Sequence, residues 1–433
     1  MNRRFEPTGP LRGRVRPPAD KSISHRAALF GAMSDEPVTV RNYLYAEDTL
    51  STLTALRVLG AGADLHEDEL VIRGVGLRGA LEATGGTLDV GNSGTLLRLL
   101  PGWLAGQPGG VWTLDGDESI RRRPVDRIVE PLTRMGARIE ARDGRLPPLR
   151  VGAAVLRGVD HDLPVASAQV KSCVLIAGLV AAGTTRVREP HPSRDHTERI
   201  LLGAHAGFER AADGALVVTQ VDELEVGEIT VPGDPSSAAF WIAAATLVED
   251  SRIVIEDVGL NWTRTGFIRI AERMGAVVVG DLEKPGTVAS DEPTGELDVA
   301  ASPLEGTEVT ADEVPLAIDE IPLVALMGVF AEGETAVRGA GELRVKESDR
   351  IAGVVEGLGG LGADIESTEE GFVVRGTGRL RGGTIDARGD HRLAMLGAIA
   401  GLVSEEGVEV EGMQAVTISY PAFERDLERL LAS

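Results

Sequence analysis

The sequence predicts an α/β protein of six repeated βαβαββ units, and three recurring phrases carry that reading. The first phrase is a helix ending at Gly-Ala or a close variant, then a short strand, a turn and a second strand. Its copies are Leu59-Gly60-Ala61-Gly62-Ala63, Met135-Gly136-Ala137, Ala206-Gly207-Phe208, Met274-Gly275-Ala276 and Leu361-Gly362-Ala363. Marked at Gly62, Gly136, Gly207, Gly275 and Gly362, they lie 74, 71, 68 and 87 residues apart. Glycine suits the position after a helix because it enters the left-handed region without a Cβ penalty. In the first copy, Glu67-Asp68-Glu69 followed by Leu70-Val71-Ile72 reads as a hairpin.

The second phrase is a polar start followed by an apolar helix of about three turns. It begins at Asp20-Lys21-Ser22, Gly91-Asn92-Ser93, Ala166-Ser167-Ala168-Gln169, Gly233-Asp234-Pro235-Ser236, Ile318-Asp319-Glu320 and Gly389-Asp390-His391. The third phrase is a second helix near Glu47, Arg123-Pro124, Arg194-Asp195-His196, Asn261-Trp262, Lys346-Glu347-Ser348-Asp349 and Tyr420-Pro421. A fixed period of about 72 residues is longer than a solenoid repeat, so each unit is a small α/β layer. Pro17-Pro18-Ala19 and Val231-Pro232-Gly233-Asp234-Pro235 punctuate the chain near its start and just past its middle. They predict one three-unit domain over 20–232 and a second over 1–19 and 233–433, joined by two crossing strands as a hinge.

Composition narrows the function. The 433 residues carry 44 basic and 67 acidic side chains, a net charge of −23, with only 8 Phe, 4 Trp and 3 Tyr. That argues against a nucleic-acid coat or a partner of anionic membranes. The apolar stretches Val174–Gly183 and Leu393–Val403 are 10 and 11 residues long, well short of the ~20 of a membrane span. No apolar run follows Arg3-Arg4, so no secretory signal is expected. A soluble, cytoplasmic, globular protein is the expectation. The single cysteine, Cys173, lies in an apolar helix and reads as a core thiol; it excludes an intrachain disulfide and a cysteine metal cage. His191 and His196 flank Pro192 at a spacing poor for a metal, so none is expected. Only four of the basic residues are lysine, at positions 21, 171, 284 and 346. An ammonium and a guanidinium are not interchangeable, so a surviving lysine is chemically suspect.

The six first helices are apolar beyond their opening residues, as helices buried on all sides are. Their N-termini present free N–H groups and positive dipole ends, which suit anions. Cations and small hydroxyls gather there: Lys21, Ser22 and Arg26; Asn92, Ser93, Gly94, Thr95 and Arg98; Ser167, Gln169 and Lys171; and Arg392. From the second helices come Arg121-Arg122-Arg123, Arg194, Lys346 and Arg350. Taken singly, these have plainer readings. Asp20, Asp234, Asp319 and Asp390 are first of all N-caps, and the arginine run alone is a solvated charge run.

These phrases, in order and over nearly the whole chain, resemble the 5-enolpyruvylshikimate-3-phosphate (EPSP) synthase family of enolpyruvyl transferases. The likeness rests on Asp20-Lys21-Ser22-Ile23-Ser24-His25-Arg26, Gly91-Asn92-Ser93-Gly94-Thr95, Arg123-Pro124 and Ala166-Ser167-Ala168-Gln169-Val170-Lys171-Ser172. It continues through Arg194-Asp195-His196-Thr197, Val231-Pro232-Gly233-Asp234-Pro235, Ile318-Asp319-Glu320, Leu343-Arg344-Val345-Lys346-Glu347-Ser348-Asp349-Arg350 and Asp390-His391-Arg392.

The resemblance implies an inside-out α/β barrel fold of two three-unit domains with substrates in the cleft between them. It implies transfer of the enolpyruvyl group of phosphoenolpyruvate to the 5-hydroxyl of shikimate 3-phosphate, on the route to chorismate and the aromatic amino acids, without cofactor or metal. It also implies a glyphosate target. Shikimate 3-phosphate would be held by Lys21, Ser22, Arg26, Ser167, Ala168, Gln169, Arg194, Asp319 and Lys346. Phosphoenolpyruvate would be held by Lys21, Asn92, Gly94, Arg123, Gln169, Arg350 and Arg392. Asp319 would take the hydroxyl proton, and Glu347, with Lys346 near, would serve proton transfer at the enol methylene; Lys21 would also be catalytic.

Two departures stand out. Val416-Thr417-Ile418-Ser419-Tyr420-Pro421 lacks the lysine that several members carry before an aromatic-Pro pair, and Leu99 stands where many have proline. Three rivals are disfavoured. The sister transferase for UDP-N-acetylglucosamine normally opens Lys-Asn, not Lys21-Ser22, and uses a loop cysteine. An RNA-end-processing relative conflicts with the charge. A non-catalytic relative conflicts with the joint presence of Asp319, Lys346 and Glu347.

Overall fold

The computed structural model describes residues 1–66, 69–82 and 86–432. The turn expected at Glu67-Asp68 lies outside them, although its flanking strands Gly62–His66 and Glu69–Arg73 pair antiparallel. The chain divides into two compact units, Ala19–Val231 with Val288–Glu292, and Met1–Pro18, Pro232–Thr287 and Pro293–Ser433. The excursion Val288–Glu292 sits with the first unit because Glu292 Oε1 lies 2.6 Å from His196 Nδ1 and the Asp291 carbonyl accepts from Arg199.

The unit Ala19–Val231 holds helices α1 (Lys21–Met33), α2 (Glu47–Val58), α3 (Gly94–Leu104), α4 (Asp126–Arg134), α5 (Ala168–Gly178) and α6 (His196–Gly203). Each repeat pairs a leading strand parallel to the next one, which the intervening helix requires, and closes with an antiparallel pair. The second repeat shows the plan: Thr87–Asp89 runs parallel to Val111–Asp115, which pairs antiparallel with Leu146–Gly152, and that with Arg138–Arg142. In the first repeat the leading strand is Glu228–Thr230, from the far end of the unit, parallel to Val38–Arg41. The odd-numbered helices form the core: Ile23–Met33 of α1 is buried throughout, and so is Val170–Gly178 of α5. Helices α3 and α5 approach so closely that a Cβ at Gly102 would strike the Cys173 carbonyl. Trp103 is buried beside that contact with its indole N–H donated to the Leu77 carbonyl at 2.9 Å. Burial pushes the Cys173 thiol up to about 12, as for a packed side chain.

The other unit holds α7 (Pro235–Leu247), α8 (Gly266–Arg273), α9 (Val314–Ala317), α10 (Ile321–Phe330), α11 (Arg350–Gly360), α12 (His391–Val403) and α13 (Phe423–Leu431). Its first sheet takes Arg12–Val15 as leading strand, parallel to Arg252–Gly259. The sixth repeat departs from the expected pattern. It has Gly383–Asp386 parallel to Val408–Glu411 but, among the described residues, no trailing hairpin; Asn2–Phe5 fills the antiparallel edge instead. Here the apolar helices α7, α10 and α12 are buried on all faces. Trp241 stacks on Phe423 at 5.0 Å and donates to the Tyr420 hydroxyl at 2.9 Å. The aromatic-Pro pair at 420–421 thus anchors α13 to the core. No helix among the described residues is long and apolar enough to cross a membrane.

Two of the marked glycines are misplaced in the sequence reading. The left-handed residue after α2 is Gly60 (φ 99°), whereas Gly62 opens a strand. After α6 it is His205 (φ 49°) that takes the position held by Gly136, Gly275 and Gly362 elsewhere.

Candidate functional site

The predicted residues fall into a set in each unit. In the Ala19–Val231 unit, Asp20 begins α1 by accepting from the Ile23 amide at 2.9 Å. That cap places Lys21, Ser22 and Arg26 on the first turns. Lys21 Nζ lies 3.0 Å from Asp48 Oδ2 at the start of α2, and His25 Nε2 lies 3.4 Å from Asp48 Oδ1. His25 Nδ1 is 2.7 Å from Thr52 Oγ1. Asp48 is buried, which alone would raise its pKa, but the Lys21 ammonium and the adjoining His25 outweigh burial and hold it well below the carboxylate range.

Arg26 is buried among neutral oxygens. Its Nε donates to Thr197 Oγ1 at 2.9 Å, Nη2 to Ser172 Oγ at 3.0 Å and Nη1 to the Ser22 carbonyl at 3.0 Å. Burial lowers its pKa to about 10, and Arg194 adds like-charge repulsion that Glu198 partly offsets. Arg194, half-buried ahead of α6, donates to Ser22 Oγ at 3.3 Å. Two guanidinium groups and Ser22 thus converge, and among the described residues no carboxylate is hydrogen-bonded to Arg26.

The starts of α3 and α5 meet through Gln169. Its Oε1 accepts from Arg98 Nη1 at 3.0 Å and its Nε2 donates to Thr95 Oγ1 at 3.2 Å. Arg98 also donates to the Pro124 carbonyl at 3.1 Å, fixing the loop that carries Arg123. Ser93 and Ser167 cap the two helices through the Leu96 and Val170 amides at 3.1 and 3.4 Å. The Ala168 carbonyl accepts from Ser172 Oγ at 2.6 Å. Asn92 is half-buried in the turn before Ser93. A Cβ on Gly94 would collide with the end of the Arg123 guanidinium, so the bare helix start lets that cation lie close. The arginine run is split: Arg121 and Arg122 are exposed and paired with Asp115 and Glu118, whereas Arg123 is buried.

In the other unit the sites gather on Arg350, the first residue of α11 and only 1% exposed. Its Nη1 donates to Asp319 Oδ1 at 2.9 Å, Nη2 to Glu347 Oε2 at 2.6 Å and Nε to Asp390 Oδ2 at 2.8 Å. Burial would lower its pKa, but Asp390, Glu347 and Asp319 together raise it above the ordinary value. Arg392 Nη2 reaches to 3.6 Å from Asp319 Oδ2. Lys346 is half-buried at the end of the 3₁₀ turn Gly341–Val345, beside Glu347.

The N-cap reading holds for Asp20, Asp234 and Asp390, which accept from amides of α1, α7 and α12. It fails for Asp319. The chain stays near-helical from α9 through Ile318 to Glu320, the N-cap of α10, and the Asp319 carboxylate turns to Arg350 and Arg392. Asp48, which orients Lys21, and the dual role of Asp390 escaped the sequence reading. Asp48 is one of two acidic residues in the first turn of α2, a common place for a carboxylate. Asp390 signalled only a cap.

Comparison with known proteins gives one family. The model of the family described as EPSP synthase (3-phosphoshikimate 1-carboxyvinyltransferase) matches residues 5–427. A 3-phosphoshikimate 1-carboxyvinyltransferase of Bacillus subtilis is 46% identical over 424 residues, covering 97% of both chains. One from Persephonella marina is 44% identical over the full length of both. The solved EPSP synthase of Acinetobacter baumannii superposes with a TM-score of 0.85 at 38% identity, covering 99% of this chain and 98% of its own.

Proposed function

The chain belongs to the EPSP synthase family, and from that premise we propose how its side chains carry the reaction. The enzyme transfers the carboxyvinyl group of phosphoenolpyruvate to shikimate 3-phosphate and releases phosphate. In this reading Lys21, Ser22, Arg26, Arg194 and the start of α5 (Ser167, Ala168, Gln169) hold the acid groups of shikimate 3-phosphate. Asp319 and Lys346 hold its hydroxyls. Phosphoenolpyruvate takes Lys21, Asn92, Gly94, Arg123, Gln169, Arg350 and Arg392. Arg392 and Arg123 carry the load of the lysine absent from 416–421.

Glu347, aided by Lys346, delivers a proton to the enol methylene carbon while the 5-hydroxyl oxygen bonds to C2 and Asp319 takes the hydroxyl proton. The C2–O bond to phosphate then breaks as the proton leaves the new methyl group, restoring the enol and freeing phosphate. A carboxylate beside the cationic C2 stabilises its charge. The protein works as a cytoplasmic monomer and engages neither nucleic acid nor membrane.

The observation that supports this reading most is Arg26, buried among neutral oxygens beside Arg194 and Ser22. A buried cation without a bonded carboxylate is costly, and a substrate anion is its natural partner. The test is phosphate release from phosphoenolpyruvate with shikimate 3-phosphate as acceptor, against UDP-N-acetylglucosamine. Release with the sugar nucleotide alone would overturn the reading.

A further inference from the structure

Lys171 has no part in the scheme above, yet it is one of four lysines in a chain that otherwise uses arginine. It is completely buried on α5. Its ammonium meets three oxygens: Glu198 Oε1 at 2.7 Å, Glu189 Oε1 at 3.1 Å and the Ser193 carbonyl at 3.2 Å. The first is a close ion pair and the other two are hydrogen bonds. Glu189 in turn accepts from the Ser193 amide at 3.2 Å and the Ser193 hydroxyl at 2.6 Å. The shared lysine is held in its charged form: burial would lower its pKa, but Glu198 and Glu189 together raise it. Glu198, buried and close to Asp195 and Glu189, is raised as well.

The geometry gives this tie a purpose. The carbonyl bonded to Lys171 belongs to Ser193, so the peptide leading into Arg194 is pinned to α5. The carboxylate ion-paired with it at 2.7 Å belongs to Glu198, directly after Thr197, whose hydroxyl holds Arg26. Ser172, next to Lys171, holds the same guanidinium and lies 2.7 Å from Thr197 Oγ1. Lys171 therefore fixes, through two backbone segments, the supports of both Arg194 and Arg26. A planar guanidinium is larger, and its donors do not converge on three oxygens around one nitrogen.

We propose that Lys171 is the positioning residue of the shikimate 3-phosphate site, tying α5 to the start of α6 so that Arg26 and Arg194 stand ready for the substrate's acid groups, and that arginine cannot replace it. The inference rests on the assignment of Arg26 and Arg194 to that substrate. Misplacing such groups by an ångström costs large factors in binding and rate.

The test is calorimetric titration of the full-length protein with shikimate 3-phosphate alone, alongside melting temperatures and turnover. Lys171→Met should bind roughly tenfold more weakly and melt lower, because two carboxylates are left buried. Lys171→Met with Glu198→Gln should regain most of the melting temperature but not the affinity, and Lys171→Arg should regain neither. Affinity equal to wild type in the double variant or in Lys171→Arg would overturn the proposal, since it would make the lysine a stability element only. Should Lys171→Met not fold, Glu198→Gln alone decides, and unchanged affinity there also overturns it. Wild-type protein without turnover on shikimate 3-phosphate would instead overturn the functional reading, and this inference with it.

Discussion

Arg26 and Arg350 are both buried arginines in the proposed substrate machinery, and their surroundings are opposite. Arg26 is bonded to two hydroxyls and a carbonyl, and burial lowers its pKa to about 10. Arg350 is clasped by three carboxylates and its charged form is favoured despite burial. In the proposed reading the first is a charge kept for the substrate. The second is already neutralised by side chains, two of which, Asp319 and Glu347, are the proposed proton carriers. An anion that takes Arg350 must compete with them. Arginine counts in a sequence do not distinguish these states; partners do.

The sharpest way to break the contrast is to delete each cation. Arg350→Met should cost about 3–5 kcal/mol, because Asp390, Asp319 and Glu347 lose their common counter-charge, and should abolish turnover. Arg26→Met should leave the melting temperature unchanged or raise it, since Thr197 and Ser172 keep each other at 2.7 Å, while shikimate 3-phosphate binding is lost. Thermal melts and titrations side by side check both; equal destabilisation by the two would erase the distinction.

Next in size is Asp319→Asn. It removes one of three carboxylates on Arg350 and no helix cap, so folding should be near-native. Loss of the proposed base should lower turnover at least ~100-fold. Steady-state rates within a few-fold of wild type would remove Asp319 from proton transfer.

Asp48 tests the supporting shell. Its folded pKa is depressed, so its contribution is present above the ordinary Asp value near pH ~4 and is lost as pH falls below it toward the folded value. Asp48→Asn should therefore lower stability by about 2 kcal/mol at pH 7, with the gap closing below about pH 4. Denaturant melts at several pH values check this, and a gap independent of pH would show that the ion pair with Lys21 is not its source.

The smallest expected effect is Gly94→Ala. The added methyl displaces the end of the Arg123 guanidinium, a flexible group, so the protein should fold normally. The KM for phosphoenolpyruvate should rise a few-fold, of the order of ~1 kcal/mol, and glyphosate inhibition should weaken more. Identical inhibition constants for the two proteins would separate Gly94 from the donor site.

Much of the architecture was legible because it is repeated and local. Buried helices announce themselves by unbroken apolar runs, and Asp20, Ser93, Ser167 and Asp390 mark their starts by chemistry that acts within three residues. What stayed hidden depends on distant partners. Asp319 sits in the same kind of phrase as Asp20, and only Arg350, 31 residues on, makes it a ligand rather than a cap. His205 stands where glycine was expected because a single left-handed residue need not be glycine. Lys171 was conspicuous for its rarity, but its three oxygen partners lie on a loop and a helix that follow 18 or more residues later. The missing hairpin of the sixth repeat could not be foreseen from a strand four hundred residues earlier.

That borrowed strand bears on how the protein is made. Phe5 pairs with Val408 and Val15 with Ile255, so on the ribosome the first two strands emerge long before their partners exist. The Ala19–Val231 segment can meanwhile complete its sheets as soon as Glu228–Thr230 is released. Synthesis therefore releases the partner of Arg12–Val15 midway, at Arg252–Ile255, whereas Asn2–Phe5 waits as an unpaired edge until Val408–Glu411 is translated. During that interval it is the segment most open to proteases and to mispairing.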